Sequence, residues 1–174
     1  MEKIVLSDID NIHILDVYIQ NGGYSAAKKA FSQSSDDIID QVKKSGLRGR
    51  GGAAFYAGLK WSFMPKTTDK PKYLCVNGDE SEPGSFKDRQ VFECTPHQLI
   101  EGILITCYAI GAKTAYIYIR SEYHKWINLM QKALDDAYAA GYIGEAMKEK
   151  FGTEFFCNIY IHKGAGAYIC GEES

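Results

Sequence analysis

Apolar residues recur along the chain with two different periods. From Ser34 to Lys44, Ile38, Ile39 and Val42 share one side of a 3.6-residue repeat, which predicts a helix. Ser34-x-x-Asp37 reads as its capping box, Asp36 and Asp37 sit near its positive end, and Gly46 is its stop. A shorter helix is expected over Tyr24–Ser32, after a break at Gly22-Gly23; residues 1–22 hold two short apolar pieces. Thr95-Pro96 opens a helix through His97–Ile110 that is apolar on nearly every face and ends at Gly111. Lys125–Ala140 is amphipathic, with Trp126, Leu129, Met130, Ala133, Leu134 and Ala137 on its apolar stripe. Three short apolar runs, Tyr73–Asn77, Ala115–Ile119 and Phe155–His162, read as strands, and Lys87-Asp88-Arg89 begins a short helix. Strands alternating with helices predict an α/β fold with a mainly parallel sheet flanked by helices. Residues 1–33 form a helical lead-in and residues 34–174 the α/β domain.

Composition narrows the class. Hydrophobic residues make up 45% and charged residues 24%, enough apolar surface for one substantial core. A net charge of −2 leaves no electrostatic footprint for nucleic acid. The most apolar run, Ile103–Ile110, is too short to span a bilayer, and Met1-Glu2-Lys3 does not begin a signal peptide, so a cytoplasmic location is expected. Cys75, Cys94, Cys107, Cys157 and Cys170 are odd in number and lack C-x-x-C spacing. No disulfide framework is expected, and no metal or cluster site made wholly within this chain. The chain stops at Ser174 inside a glycine-rich loop, so it is expected to be part of a longer polypeptide.

The chemistry concentrates in three loops. Ser45–Pro65 carries Gly46, Gly49, Gly51 and Gly52 interleaved with Arg48 and Arg50, then Phe55, Tyr56, Lys60, Trp61 and Phe63. Backbone amides in such a loop can form a concave anion site, with cations and flat rings beside it. Gly49-x-Gly51-x-x-Ala54 fits a dinucleotide fingerprint, but a helix precedes it where that fingerprint needs a strand, so a structural turn remains the alternative. A helix restarting at Ala53–Lys60 would put the loop's amides at its N-terminus. The second loop, Asn77-Gly78-Asp79-Glu80-Ser81-Glu82-Pro83-Gly84, follows a strand at the end where α/β sheets bind ligands; a solvated acidic turn is its bland reading. The third, Lys163–Ser174, follows the last strand and ends in Glu172-Glu173. His97 lies in a first helical turn and is expected to be structural.

Five stretches in order, SGLRGRGGAAFYAGLKWSFMPK, YLCVNGDESEPGSFKDR, PHQLIEG, YIYIRSEY and GAGAYICGEES, resemble the flavin-binding, NADH-oxidising subunit of respiratory complex I. Related chains are the diaphorase subunits of NAD-linked hydrogenases and formate dehydrogenases. The resemblance runs from about Tyr18 to the last residue. It implies a Rossmann-like domain that holds FMN noncovalently with NADH laid over it, as an NADH dehydrogenase component. Hydride would pass to the flavin, and electrons would leave singly toward iron–sulfur clusters. The chemistry would be the flavin's, so no catalytic acid or base is expected. Gly49, Arg50, Gly51 and Lys60 match the first FMN-contacting segment; Asn77, Asp79 and Glu80 match the second; Tyr168, Gly171 and Glu172 match the third. Gly52, Ala53, Phe55 and Phe63 match positions near the dinucleotide, the two phenylalanines stacking on adenine. Glu82 and Glu173 match acids facing NADH, which favours NAD over NADP.

The resemblance also implies what lies outside the chain. A ubiquitin-like domain and a helical domain with a [4Fe–4S] cluster are not in these 174 residues. The implied partners are other subunits of a redox complex, especially a thioredoxin-like [2Fe–2S] subunit. Membrane contact would come only through that complex, on the inner face of the membrane. An assembly fragment without chemistry of its own, or a nucleotide-phosphate binder, is the alternative of another class; for the latter, Lys60 is followed by Trp61 where a P-loop needs Ser or Thr. Three stretches depart from the family's pattern. Ala54 stands for a glycine, tolerable if φ is negative there, with Tyr56-Ala57 in place of Pro-Thr. Gly78 replaces an alanine and is expected only to open the backbone. Ser121 replaces a glycine after Arg120.

Overall fold

The computed structural model describes residues 5–167. Eleven elements follow one another: α1 (Leu15–Gln20), α2 (Ser25–Phe31), α3 (Ser35–Ser45), α4 (Ala57–Ser62), β1 (Tyr73–Gly78), α5 (Lys87–Cys94), α6 (Pro96–Ile110), β2 (Thr114–Ile119), α7 (His124–Ala139), α8 (Met147–Phe151) and β3 (Asn158–Lys163). The strands form a parallel sheet in the order β1-β2-β3, with Tyr73 opposite Thr114 and Thr114 opposite Asn158. The expected α/β class is therefore what the chain adopts. Loops 79–86, 120–123 and 164–167 leave the sheet at its carboxyl end.

Alternation decides what each sheet face meets. Ala115, Ile117 and Ile119 of β2 are fully buried, in one core with Ile100, Leu104 and Cys107 of α6 and Met130 and Leu134 of α7. Each of the isoleucines, leucines and Met130 among these contributes about 1.5–3 kcal/mol when removed from water. The opposite face carries Tyr73, Tyr116 and Tyr160, all exposed, their rings 6.2 and 5.7 Å apart across the strands. β3 begins later than the expected Phe155. The Phe155 ring packs against Phe31 and Tyr108, and the Phe156 ring meets the ammonium groups of Lys113 and Lys148. Side-chain packing there takes the residues that periodicity assigned to the strand. α8 was not anticipated.

α3 starts as its sequence predicts: Ser34 Oγ accepts from the Asp37 amide at 3.1 Å, and Gly46 ends it at φ 68°. α2 is different, because it has no side-chain cap of its own. Its free amides are met by Glu101, from the middle of α6. Glu101 Oε1 accepts from Ala27 N at 2.8 Å; Oε2 accepts from Tyr24 N at 2.9 Å and from the Tyr18 hydroxyl. Burial, and then the hydrogen bond to Glu101, raise the Tyr18 hydroxyl pKa well above normal, so it stays a donor. Tyr24 sits at φ 61°, a conformation L residues avoid, and the Glu101 bond fixes it there. Through this carboxylate the lead-in joins the same core as the sheet, which includes Ile12, Leu15, Tyr18 and Tyr24.

His97 completes this buried group. Its ring is fully buried, lies 5.8 Å from the Tyr18 ring, and its Nδ1 is 3.1 Å from the Tyr24 hydroxyl. Burial lowers its pKa to about 4.

Both buried groups lend themselves to measurement. Glu101→Ala leaves three donors without an acceptor and is expected to cost on the order of 3 kcal/mol, read as a lower denaturant midpoint. For His97 the folded pKa lies below the unfolded value of about 6.5, so the unfolded chain takes up the proton first. Its contribution is complete above about pH 6.5 and is lost as pH falls toward 4. In His97→Gln, unfolding midpoints measured across that window should fall less steeply than in the parent.

Candidate functional site

Two clusters carry the residues that the motifs single out. The first is built on the carboxyl end of β1. Gly78 ends the strand, and a Cβ there would lie 2.5 Å from the Phe92 ring and 3.0 Å from the Tyr118 carbonyl oxygen. The expectation that glycine merely opens the backbone is thus corrected: Phe92, itself buried, occupies the space an alanine methyl would need. Asn77 Oδ1 accepts from the Asp79 amide at 3.0 Å, an Asx-type turn that bends the chain across the strand end. Asp79 is only 5% exposed. Its Oδ2 accepts from the Ser81 hydroxyl, and its Oδ1 has no hydrogen-bond partner among the described residues. A buried carboxylate oxygen without a donor is costly, which makes it the group here that most needs a ligand.

Glu80 follows at φ 43° with a fully buried side chain. Its carboxylate faces its own protein. It accepts from the amides of Asp88 and Arg89 at 2.9 and 3.1 Å, in the first turn of α5, and pairs with Arg89 Nε at 3.4 Å. α5 has no side-chain cap of its own, so Glu80 supplies it. The Glu80 carbonyl oxygen accepts from Arg120 Nη1 and from the Tyr123 hydroxyl, both at 3.2 Å. Glu82 is exposed in the turn that its carbonyl closes with the Ser85 amide.

The second cluster is the glycine loop. Gly49 N donates to the Phe55 carbonyl and Ala57 N to the Leu47 carbonyl, so residues 47–57 form a narrow loop closed by an Arg48–Tyr56 bridge. The Arg48 guanidinium lies 3.8 Å over the Tyr56 ring and also bonds its hydroxyl. The restart expected at Ala53 comes at Ala57, because the loop's own hydrogen bonds hold residues up to Tyr56 in the bridge. The glycine amides therefore do not open a helix. Those of Gly51, Gly52 and Ala53 make no hydrogen bond among the described residues, and the space around both glycines is open. Arg50 and Lys60 are exposed and form no ion pair among the described residues. Phe55 and Phe63, also exposed, lie 6.2 Å apart at 53°, a tilted pair and not a parallel slot. Gly58 seats α4 on α3: a Cβ there would fall 2.4 Å from the Lys43 amide nitrogen.

The two clusters have separate supports, α3 and α4 for the glycine loop and α5 with the end of β2 for the acidic loop. Tyr168, Gly171, Glu172 and Glu173 lie outside the described residues. A cavity of about 570 Å³ opens elsewhere, between α3, Trp61 and the end of α6, and contains none of the motif acids or glycines. The described residues hold no cluster of His, Cys, Asp and Glu able to bind a metal ion, and no helix long and apolar enough to cross a membrane. The motifs assign no cofactor contact to Arg48, Arg89, Arg120 or Tyr123. Their places within the resembling stretches are the only signal in the sequence, since what they bind depends on the folded loops.

The geometry has counterparts in known proteins. The family model for the Nuo51 FMN-binding domain matches residues 42–174. An NADH-quinone oxidoreductase subunit of Rhizobium meliloti (strain 1021) is 51% identical over 99% of this chain and 41% of its own length. The NADH-quinone oxidoreductase subunit of Rickettsia typhi (strain ATCC VR-144 / Wilmington) that aligns with it is 57% identical over 89% of this chain and 36% of its own. The chain thus spans about two fifths of the length of these relatives. Among solved structures, NAD+-reducing [NiFe]-hydrogenase in the H2-reduced state superposes with a TM-score of 0.71 at 34% identity, covering 92% of this chain and 26% of that one. The air-oxidised form gives 0.68 at 36% identity, covering 85% and 24%.

Ala54 lies at φ 52°, so the condition of negative φ stated for it is not met. Its Cβ is held in the left-handed region that glycine enters freely. Ala54→Gly is expected to raise stability by roughly 1 kcal/mol, seen as a higher thermal midpoint.

Proposed function

Because the chain belongs to the Nuo51 FMN-binding domain family, we propose that it is the FMN- and NADH-binding part of an NADH-quinone oxidoreductase subunit. The observation that carries the reading is the buried, unpartnered Asp79 oxygen at the carboxyl end of β1. It suits a hydroxyl-rich ligand such as the ribityl chain, whose O–H groups would donate to it. Bound FMN would accept hydride from NADH and pass electrons on singly.

The chain's own residues bind and orient. Asn77 and Asp79 present oxygens to the flavin, while Glu80 shapes the turn that carries them. The free amides around Gly51, with Gly49, Arg50 and Lys60, supply positive potential for the phosphate. Gly52 and Ala53 let the dinucleotide approach, and Phe55 and Phe63 offer their tilted faces to adenine. Glu82, and Glu173 outside the described residues, face the ribose hydroxyls and disfavour a 2′-phosphate. Tyr168, Gly171 and Glu172, outside the described residues, are assigned as further FMN contacts. Residues 1–33 act as a brace for residues 34–174. The partners are further subunits of a redox complex, among them a thioredoxin-like [2Fe–2S] subunit, and the complex sits on the inner face of the membrane. The likeness to NAD+-reducing hydrogenase supports a second reading, the NADH-reactive subunit of such a complex.

The full-length protein should purify with FMN and reduce ferricyanide faster with NADH than with NADPH; a folded, colourless protein that takes up no added FMN refutes the reading. Lys60→Ala should weaken FMN binding roughly tenfold or more, the loss of one charge-assisted contact, measured by flavin fluorescence titration.

A further inference from the structure

The hydrogen bonds of Asp79 with Asn77 and Ser81 hold only the first part of the turn that carries it. Glu80, the next residue, sits at φ 43°, a conformation that persists in an L residue only when neighbours impose it. Its carboxylate is tied to α5, but that fixes only the side chain. The peptide itself is fixed from the loop after β2. Arg120 Nη1 and the Tyr123 hydroxyl both donate to the Glu80 carbonyl oxygen at 3.2 Å, and the same hydroxyl lies 3.3 Å from Glu80 Oε2. The Tyr123 ring is buried, with the guanidinium groups of Arg89 at 5.2 Å and Arg120 at 5.4 Å from its centre. Arg120 is itself oriented by Glu122, its Nη2 3.1 Å from Oε1, and the Asp79 carboxylate adds to its field. Burial, then the Glu80 carboxylate, raise the Tyr123 hydroxyl pKa, which keeps it protonated and donating.

We propose that Arg120 and Tyr123 are positioning residues of the cofactor site: by clamping the Glu80 peptide they hold the free Asp79 oxygen in the place where it receives the ligand's hydroxyl. Neither residue touches the ligand. The inference rests on the FMN reading above, with Asp79 as a contact. It explains why two donors converge on one backbone oxygen at the end of a neighbouring strand. It also gives the Arg-x-Glu-Tyr stretch at Arg120–Tyr123 a task that binding motifs alone do not assign.

The test is a double-mutant cycle in the full-length protein, stripped of flavin and titrated with FMN by fluorescence quenching. Asp79→Asn should weaken binding roughly tenfold, and Tyr123→Phe and Arg120→Gln several-fold each. Placed in the Asp79→Asn background, either second change should cost less than about twofold, because its effect passes through Asp79. Arg120→Lys, which keeps the charge and one donor, should recover part of the Arg120→Gln loss. Tyr123→Phe keeps the ring beside the two arginines, and the partly exposed position of Arg120 lets its variants fold; the thermal midpoint of each flavin-free variant monitors this. Unchanged affinity in Tyr123→Phe and Arg120→Gln, or losses that simply multiply with that of Asp79→Asn, overturns the proposal while leaving the FMN reading in place. Parent protein that binds no FMN overturns both.

Discussion

The fold depends on a buried carboxylate that meets no cation among the described residues. Glu101 stands in the middle of α6, among isoleucines and leucines, where an ionised group is costly to keep. It is tolerable because three donors converge on it: two amides from the start of α2 and the Tyr18 hydroxyl. The amides belong to a helix end whose dipole favours negative charge. Each side thus relieves the other's defect, α2 its unmet amides and α6 its buried charge. The lead-in helices are joined to the sheet by this exchange as well as by apolar contact, and Tyr24 keeps its left-handed conformation for the same reason.

The device recurs at the site. Glu80 meets the first amides of α5 as Glu101 meets those of α2, and it too accompanies a residue at positive φ, this time itself. The repetition separates roles among neighbouring acids that look alike in sequence. Glu80 spends its carboxylate on the fold, Asp79 keeps one oxygen buried with no partner among the described residues, and Glu82 faces solvent. Three acids within four residues therefore differ in chemistry because of what lies opposite each.

This division marks what the sequence could reveal. Local signals were legible: the Ser34 cap on Asp37, Gly46 and Gly111 as stops, Pro96 as a first helical residue, and the apolar runs that pair as parallel strands. The cap of α2 comes from 74 to 77 positions away, and the clamp on Glu80 from 40 and 43, so no window around those residues contains them. α8 is one turn of Met147–Phe151 without a cap or apolar period, and β3 lost its first residues to an aromatic cluster. The site motifs were legible as motifs, but the direction each side chain takes was not. The left-handed angle at Ala54 was not legible in the alanine itself, a residue that rarely enters that region.

Ala54 also shows how the glycine loop compensates for its own departures. A left-handed alanine costs roughly 1–2 kcal/mol against the glycine the family pattern places there. In the same loop, Tyr56 replaces proline, which would have stiffened the chain by fixing φ. What stands instead is the Arg48 guanidinium stacked on the Tyr56 ring at 3.8 Å, worth about 0.5–1 kcal/mol at an exposed position, together with their backbone bridge. The stack offsets part of the strain and restores the rigidity that proline would give. Residues 43–56 are all exposed, so no core packing can do this for them. The acidic loop is held by buried hydrogen bonds and the glycine loop by a surface cation–ring contact. A change that loosens one loop therefore leaves the other's support intact, and the pair Ala54 and Tyr56 is best understood as a single substitution acting on one loop.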